Sequence, residues 1–71
     1  MYCEYIRDLV NNYTNSYQLV QALKGLRADG QTTIRTRYAS HPIGKVMHEI
    51  ITMSKMGYTY SEIVDELVCN Y

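Results

Sequence analysis

The sequence predicts a small, mostly α-helical domain with one short β-strand, in the order helix, helix, strand, helix, helix. Three observations carry this. Four stretches space their apolar residues three and four apart, which lines them along one helix face. The stretch 31–38 instead reads Gln-Thr-Thr-Ile-Arg-Thr-Arg-Tyr, rich in strand formers and alternating in character. Turn-forming residues separate these stretches.

Residues 2–13 read as the first helix, with Tyr2, Ile6, Leu9, Val10 and Tyr13 on one face. The run Asn11-Asn12-Tyr13-Thr14-Asn15-Ser16 is dense in turn formers and ends it. Ser16 is the expected N-cap of a second helix, striped by Leu19, Val20, Leu23 and Leu26. Gly25 inside it weakens the last turn by about 1 kcal/mol relative to Ala, and Asp29-Gly30 signals the turn that follows.

In the strand, alternation puts Ile34, Thr36 and Tyr38 on one face and Thr33, Arg35 and Arg37 on the other. A lone strand leaves its backbone groups unpaired. The expected remedy is a homodimer that pairs the strand with the same strand of a second copy. Ser40-His41-Pro42 opens the third helix, with Pro42 in its first turn. Ile43, Val46, Met47, Ile50 and Ile51 form its apolar face, and Gly57 ends it. Thr59-Tyr60-Ser61-Glu62 is a capping box for a fourth helix that runs to the end, with Ile63, Val64, Leu67, Val68 and Tyr71 inward. Residues 2–13 and 60–71 also align without gaps, matching at Tyr2/Tyr60, Glu4/Glu62, Leu9/Leu67, Val10/Val68, Asn12/Asn70 and Tyr13/Tyr71. Two similar helix faces explain most of that agreement, and no sustained repeat is present.

The chain of 71 residues allows a single domain, with a helical pair over 1–28 and the strand and two helices over 32–71. Its 46% hydrophobic content excludes an intrinsically disordered composition. No apolar run is long enough for a membrane helix, and no secretory signal opens the chain. The expectation is a soluble, cytoplasmic protein without membrane contact. Cys3 and Cys69 stand near opposite ends without metal-type spacing. Two reduced thiols are the ordinary reading, and a disulfide joining the termini is the alternative.

Net charge is zero, but the charges are segregated. Lys24, Arg27, Arg35, Arg37, Lys45 and Lys55 occupy the middle against only Asp29 and Glu49. The acids Glu4, Asp8, Glu62, Asp65 and Glu66 lie towards the ends. A basic middle suits an anionic partner, whereas zero net charge opposes strong nonspecific binding to nucleic acid. Every aromatic residue is tyrosine, a ring that serves a small core and, with its polar tip, an interface.

No catalytic constellation emerges. His41 and His48 stand seven residues apart, and Glu49 follows His48 onto another helix face. That spacing is not a zinc motif. Asp65 and Glu66 diverge on their helix, Ser61 and Cys69 have no base beside them, and no glycine-rich loop precedes a helix. The expectation is a protein that is not an enzyme, with no cofactor, no metal and no small-molecule substrate.

The strand followed by two helices carries the sharpest meaning. Thr33-Ile34-Arg35-Thr36-Arg37, an amphipathic helix, then Gly57-Tyr58-Thr59-Tyr60-Ser61-Glu62-Ile63-Val64-Asp65-Glu66-Leu67 resembles the ribbon-helix-helix fold of Arc/MetJ-type DNA-binding repressors. The resemblance spans residues 32–71. It implies a dimeric transcription regulator whose two strands pair into an antiparallel ribbon in the major groove. It further implies Thr33, Arg35 and Arg37 as base readers. The fourth helix, near Thr59 and Tyr60, would hold a phosphate through its free N–H groups. The alternative is a small protein-binding module, such as an adaptor or a phage-type inhibitor that occupies a partner protein.

Overall fold

The computed structural model describes residues 5–71, so Tyr2 and Cys3, and with Cys3 the terminal disulfide, lie outside the described residues. The chain forms α1 (Ile6–Val10), α2 (Ser16–Ala28), β1 (Thr33–Arg35), β2 (Ser40–Pro42), α3 (Ile43–Lys55) and α4 (Tyr60–Asp65), which continues as a π-helical turn over Glu66–Asn70. The mostly helical reading holds. Three details differ from the expectations.

First, the strand is not alone. β1 pairs antiparallel with β2, with Thr33 opposite Pro42, Ile34 opposite His41 and Arg35 opposite Ser40. Ser40-His41-Pro42 is therefore a strand and not the opening of α3. The reversal is built by Thr36. Its backbone N–H donates to the Ala39 carbonyl at 2.8 Å, and its hydroxyl donates to the same carbonyl at 2.7 Å. The Thr36 hydroxyl also accepts from the Ala39 N–H at 3.4 Å. These bonds let a polar residue sit buried, since a buried hydroxyl is tolerated when it is paired. The Ile43 N–H adds a rung to the Thr32 carbonyl at 3.0 Å. Pro42, which has no N–H to give, then turns the chain into α3.

Second, α1 stops at Val10, and the cap of α2 is Asn15. Its side chain accepts from the Gln18 N–H at 2.9 Å, one of the free donors of a helix start. The Ser16 hydroxyl instead donates across to the Ser54 hydroxyl on α3 at 3.4 Å. Third, Ile51 stands 39% exposed and outside the core.

Both long helices end on one device. Gly30 and Gly57 have φ of +98° and +91°, which glycine adopts without a Cβ clash. After α2, the Gln31 and Gly30 N–H groups donate to Leu26 and Arg27 carbonyls. After α3, the Tyr58 and Gly57 N–H groups donate to Met53 and Ser54 carbonyls. Each pair is a Schellman motif, which satisfies carbonyls left free by the helix end. The expected capping box of α4 forms in both directions, with Glu62 N–H to the Thr59 hydroxyl at 3.2 Å and Thr59 N–H to the Glu62 carboxylate at 2.8 Å.

The core draws on every element except β2. Ile6, Leu9, Leu19, Leu23, Ile34, Ile43, Val46, Ile50, Ile63 and Leu67 are all buried. α2 packs on α3, α4 packs on α3, and α1 packs on the π-helical turn. The two similar stretches of sequence thus meet: Leu9 and Val10 of one and Leu67 of the other enter the same cluster.

Candidate functional site

The outer edge of β1 is partly covered from within the chain. Tyr5, in extended conformation just before α1, forms a parallel bridge with Arg35. That bridge lays the start of α1 beside the hairpin and brings together residues far apart in sequence. Arg7 of α1, Arg35 of β1 and Arg37 of the turn all line one open cavity of about 540 Å³. Tyr5 and Tyr38 join them there, and Val68 adds apolar surface.

Two of the arginines are seated on tyrosine rings. The Arg35 guanidinium sits 4.9 Å from the centre of the Tyr5 ring. The Arg37 guanidinium sits 5.5 Å from the centre of the Tyr38 ring. Both distances are within cation–π range. None of the described lining residues is acidic. Three permanent positive charges therefore surround the opening without local neutralisation among those residues, an arrangement suited to an anion.

Of the sequence-predicted site residues, Arg35 and Arg37 are exposed and meet at this cavity. Thr33 shares their face of β1 but is only half-exposed and does not line it. Thr59 and Tyr60 stand apart from it as well. Thr59 is engaged in the capping box. The Tyr60 hydroxyl donates to the Val10 carbonyl at 3.2 Å, tying α4 to the end of α1. Burial, and secondarily the neighbouring Tyr13, pushes the Tyr60 phenol above its ordinary pKa.

Sequence reasoning passed over Tyr5, Arg7 and Tyr38. The bridge that recruits Tyr5 and Arg7 is a tertiary contact with no local signature. Strand alternation puts Tyr38 on the inward face with Ile34 and Thr36, and it does hold through Thr36. The turn then breaks it, and Tyr38 emerges 68% exposed at the hairpin tip.

Elsewhere, His41 stacks on Tyr71 with ring centres 4.5 Å apart and planes tilted by 44°. Burial, and then the Glu49 carboxylate, holds the Tyr71 phenol above its usual pKa. His41 and His48 do not gather with other ligands. Among the described residues no group of three His, Cys, Asp or Glu side chains could hold a metal. No helix among them is long and apolar enough to cross a membrane. A second concavity of about 380 Å³ runs between α2 and α3, lined by Tyr17, Val20, Ile50 and Ile51 with Lys24 and Lys55 at its margins. Comparison with protein-family models, with curated proteins and with solved structures finds no match to this chain.

Proposed function

We propose that this chain is a non-enzymatic DNA-binding protein that grips the phosphate backbone at the cavity between its β-hairpin and α1. The observation that carries the reading is the convergence of Arg7, Arg35 and Arg37, two of them seated on tyrosine rings. Guanidinium groups bind phosphate through a planar fork of donors. Local concentration of charge also answers the zero net charge of the whole chain, because phosphates respond to the nearby patch. The β1–β2 hairpin presents Arg35 on its outward face. Regulation of transcription is the role such a protein would serve.

The test is a salt-dependent titration of fluorescently labelled DNA. Three phosphate contacts give a slope of log affinity against log salt of about −2 to −3. Replacing Arg35 and Arg37 together by Ala is expected to reduce that slope to about −1 or less. Binding that ignores both salt and these substitutions would remove the reading.

A second reading, a protein-binding module, is favoured by a separate observation. The α2–α3 concavity places the exposed side chains of Tyr17 and Ile51 beside each other's helices, a combination enriched at protein interfaces. A second copy of the chain is the partner to test first, by light scattering across a dilution series. A dimer that dissociates in the Ile51→Glu variant supports this reading. A monomer at every concentration removes the homodimer from it.

A further inference from the structure

The cavity has features that a duplex backbone does not use. A duplex presents its phosphates on a convex rod with the bases stacked inside. It would meet the arginines and leave most of the concavity empty. The cavity here is about 540 Å³, with Tyr5, Tyr38 and Val68 among the three arginines in its lining. That is room for a nucleotide unit and not only for a phosphate. Tyr38 supplies a ring as well. The Arg37 guanidinium covers one face at 5.5 Å, and the residue is 68% exposed, so the second face is open. A base laid on that face would complete a guanidinium–ring–base stack. Basic grooves with exposed aromatic rings are the recurring way of holding unpaired strands.

From these observations we infer that the site takes single-stranded DNA in preference to duplex. The phosphate sits among Arg7, Arg35 and Arg37, and one unpaired base stacks on Tyr38. This rests on the DNA-binding reading above and names the form of the ligand. The hairpin tip would act as a clamp whose aromatic and cationic parts do different work. The arginines supply affinity that falls with salt, and Tyr38 supplies the discrimination between paired and unpaired bases.

The experiment compares three labelled probes by fluorescence anisotropy at about 50 mM salt. They are an oligothymidine of about 12 nucleotides, a duplex of equal length, and an abasic strand of equal length that keeps the phosphates and lacks the bases. The expected result is binding of oligothymidine at least about tenfold tighter than of either other probe. Tyr38→Leu, an exposed substitution that keeps apolar bulk, should bring oligothymidine down to the level of the abasic strand while circular dichroism stays unchanged. Tyr38→Trp should restore the preference. Equal or tighter binding of the duplex overturns the single-strand inference and leaves the DNA-binding reading standing. Equal binding of the abasic strand overturns the stacking role. No binding of any probe overturns the DNA-binding reading itself.

Discussion

Gly25 and Gly57 show how one residue type acts in opposite ways. A Cβ added at either would meet nothing within 4 Å, so space does not distinguish them. Backbone does: Gly25 lies within α2, and Gly57 has φ +91°. Gly25→Ala is expected to raise stability by about 0.5–1 kcal/mol by restricting the unfolded chain. Gly57→Ala is expected to lower it by about 1 kcal/mol or more, because it strains the Schellman turn. Thermal unfolding of the two variants should move in opposite directions. Glu62 makes a second prediction at this scale. The Thr59 backbone N–H, and then its hydroxyl, hold the Glu62 carboxyl below its ordinary pKa. A depressed folded-state pKa stabilises the fold above the unfolded value and is lost as pH falls through the folded one. Melting temperature should therefore drop as pH falls through and below the ordinary glutamate range. Glu62→Gln, which keeps an acceptor for the Thr59 N–H, should flatten part of that drop. An identical acid profile in the variant would show that Glu62 contributes nothing to it.

At the scale of elements, the hairpin and the α1–α4 tie depend on single hydroxyls. Thr36→Val keeps the volume and deletes both bonds of the Thr36 hydroxyl to Ala39. It is expected to cost about 1 kcal/mol and to speed amide exchange along β1 and β2. Tyr60→Phe removes the bond to the Val10 carbonyl and should cost about 0.5–1.5 kcal/mol in chemical denaturation. The Tyr60 phenol, raised by burial and then by Tyr13, favours the fold while it stays protonated. Its stabilisation is present below the unfolded pKa and is lost as pH rises through the higher folded one. The wild type should thus weaken above about pH 10, and Tyr60→Phe should weaken less. The elements also show where local reading works. Capping box, helix-ending glycines and apolar stripes are all contained within a few neighbouring residues, and apart from Ile51 each formed where expected. β2 was missed because Ser40-His41-Pro42 has no strand propensity. Its extended form comes from β1 lying alongside and from the Thr36 turn.

For the whole molecule, small size sets the margin. A domain of 71 residues has a total stability of roughly 4–10 kcal/mol. Leu23, fully buried between α2 and α3, is expected to cost about 2–5 kcal/mol on change to Ala. That is a large share of the total, and urea denaturation should register it. Arg35→Ala and Arg37→Ala lie on the exposed face and should change stability by no more than about 0.5 kcal/mol. Their effect belongs to DNA binding. If they unfold the chain, the cation–π seats on Tyr5 and Tyr38 are structural and not functional.

The sequence by itself determined the four helical stretches, the capping box, the helix-ending glycines and most of the core, because apolar periodicity and turn chemistry act over a few residues and need no partner. It also marked Arg35, since alternation along β1 places it outward whatever pairs with the strand. Tertiary structure alone decided that β1 pairs with residues of its own chain, that Tyr5 bridges its other edge, and that Arg7 and Tyr38 join the same cavity. The physical reason is that backbone hydrogen bonds between strands carry no side-chain code. Any extended segment can satisfy them, and only the packing of the whole chain selects which one does.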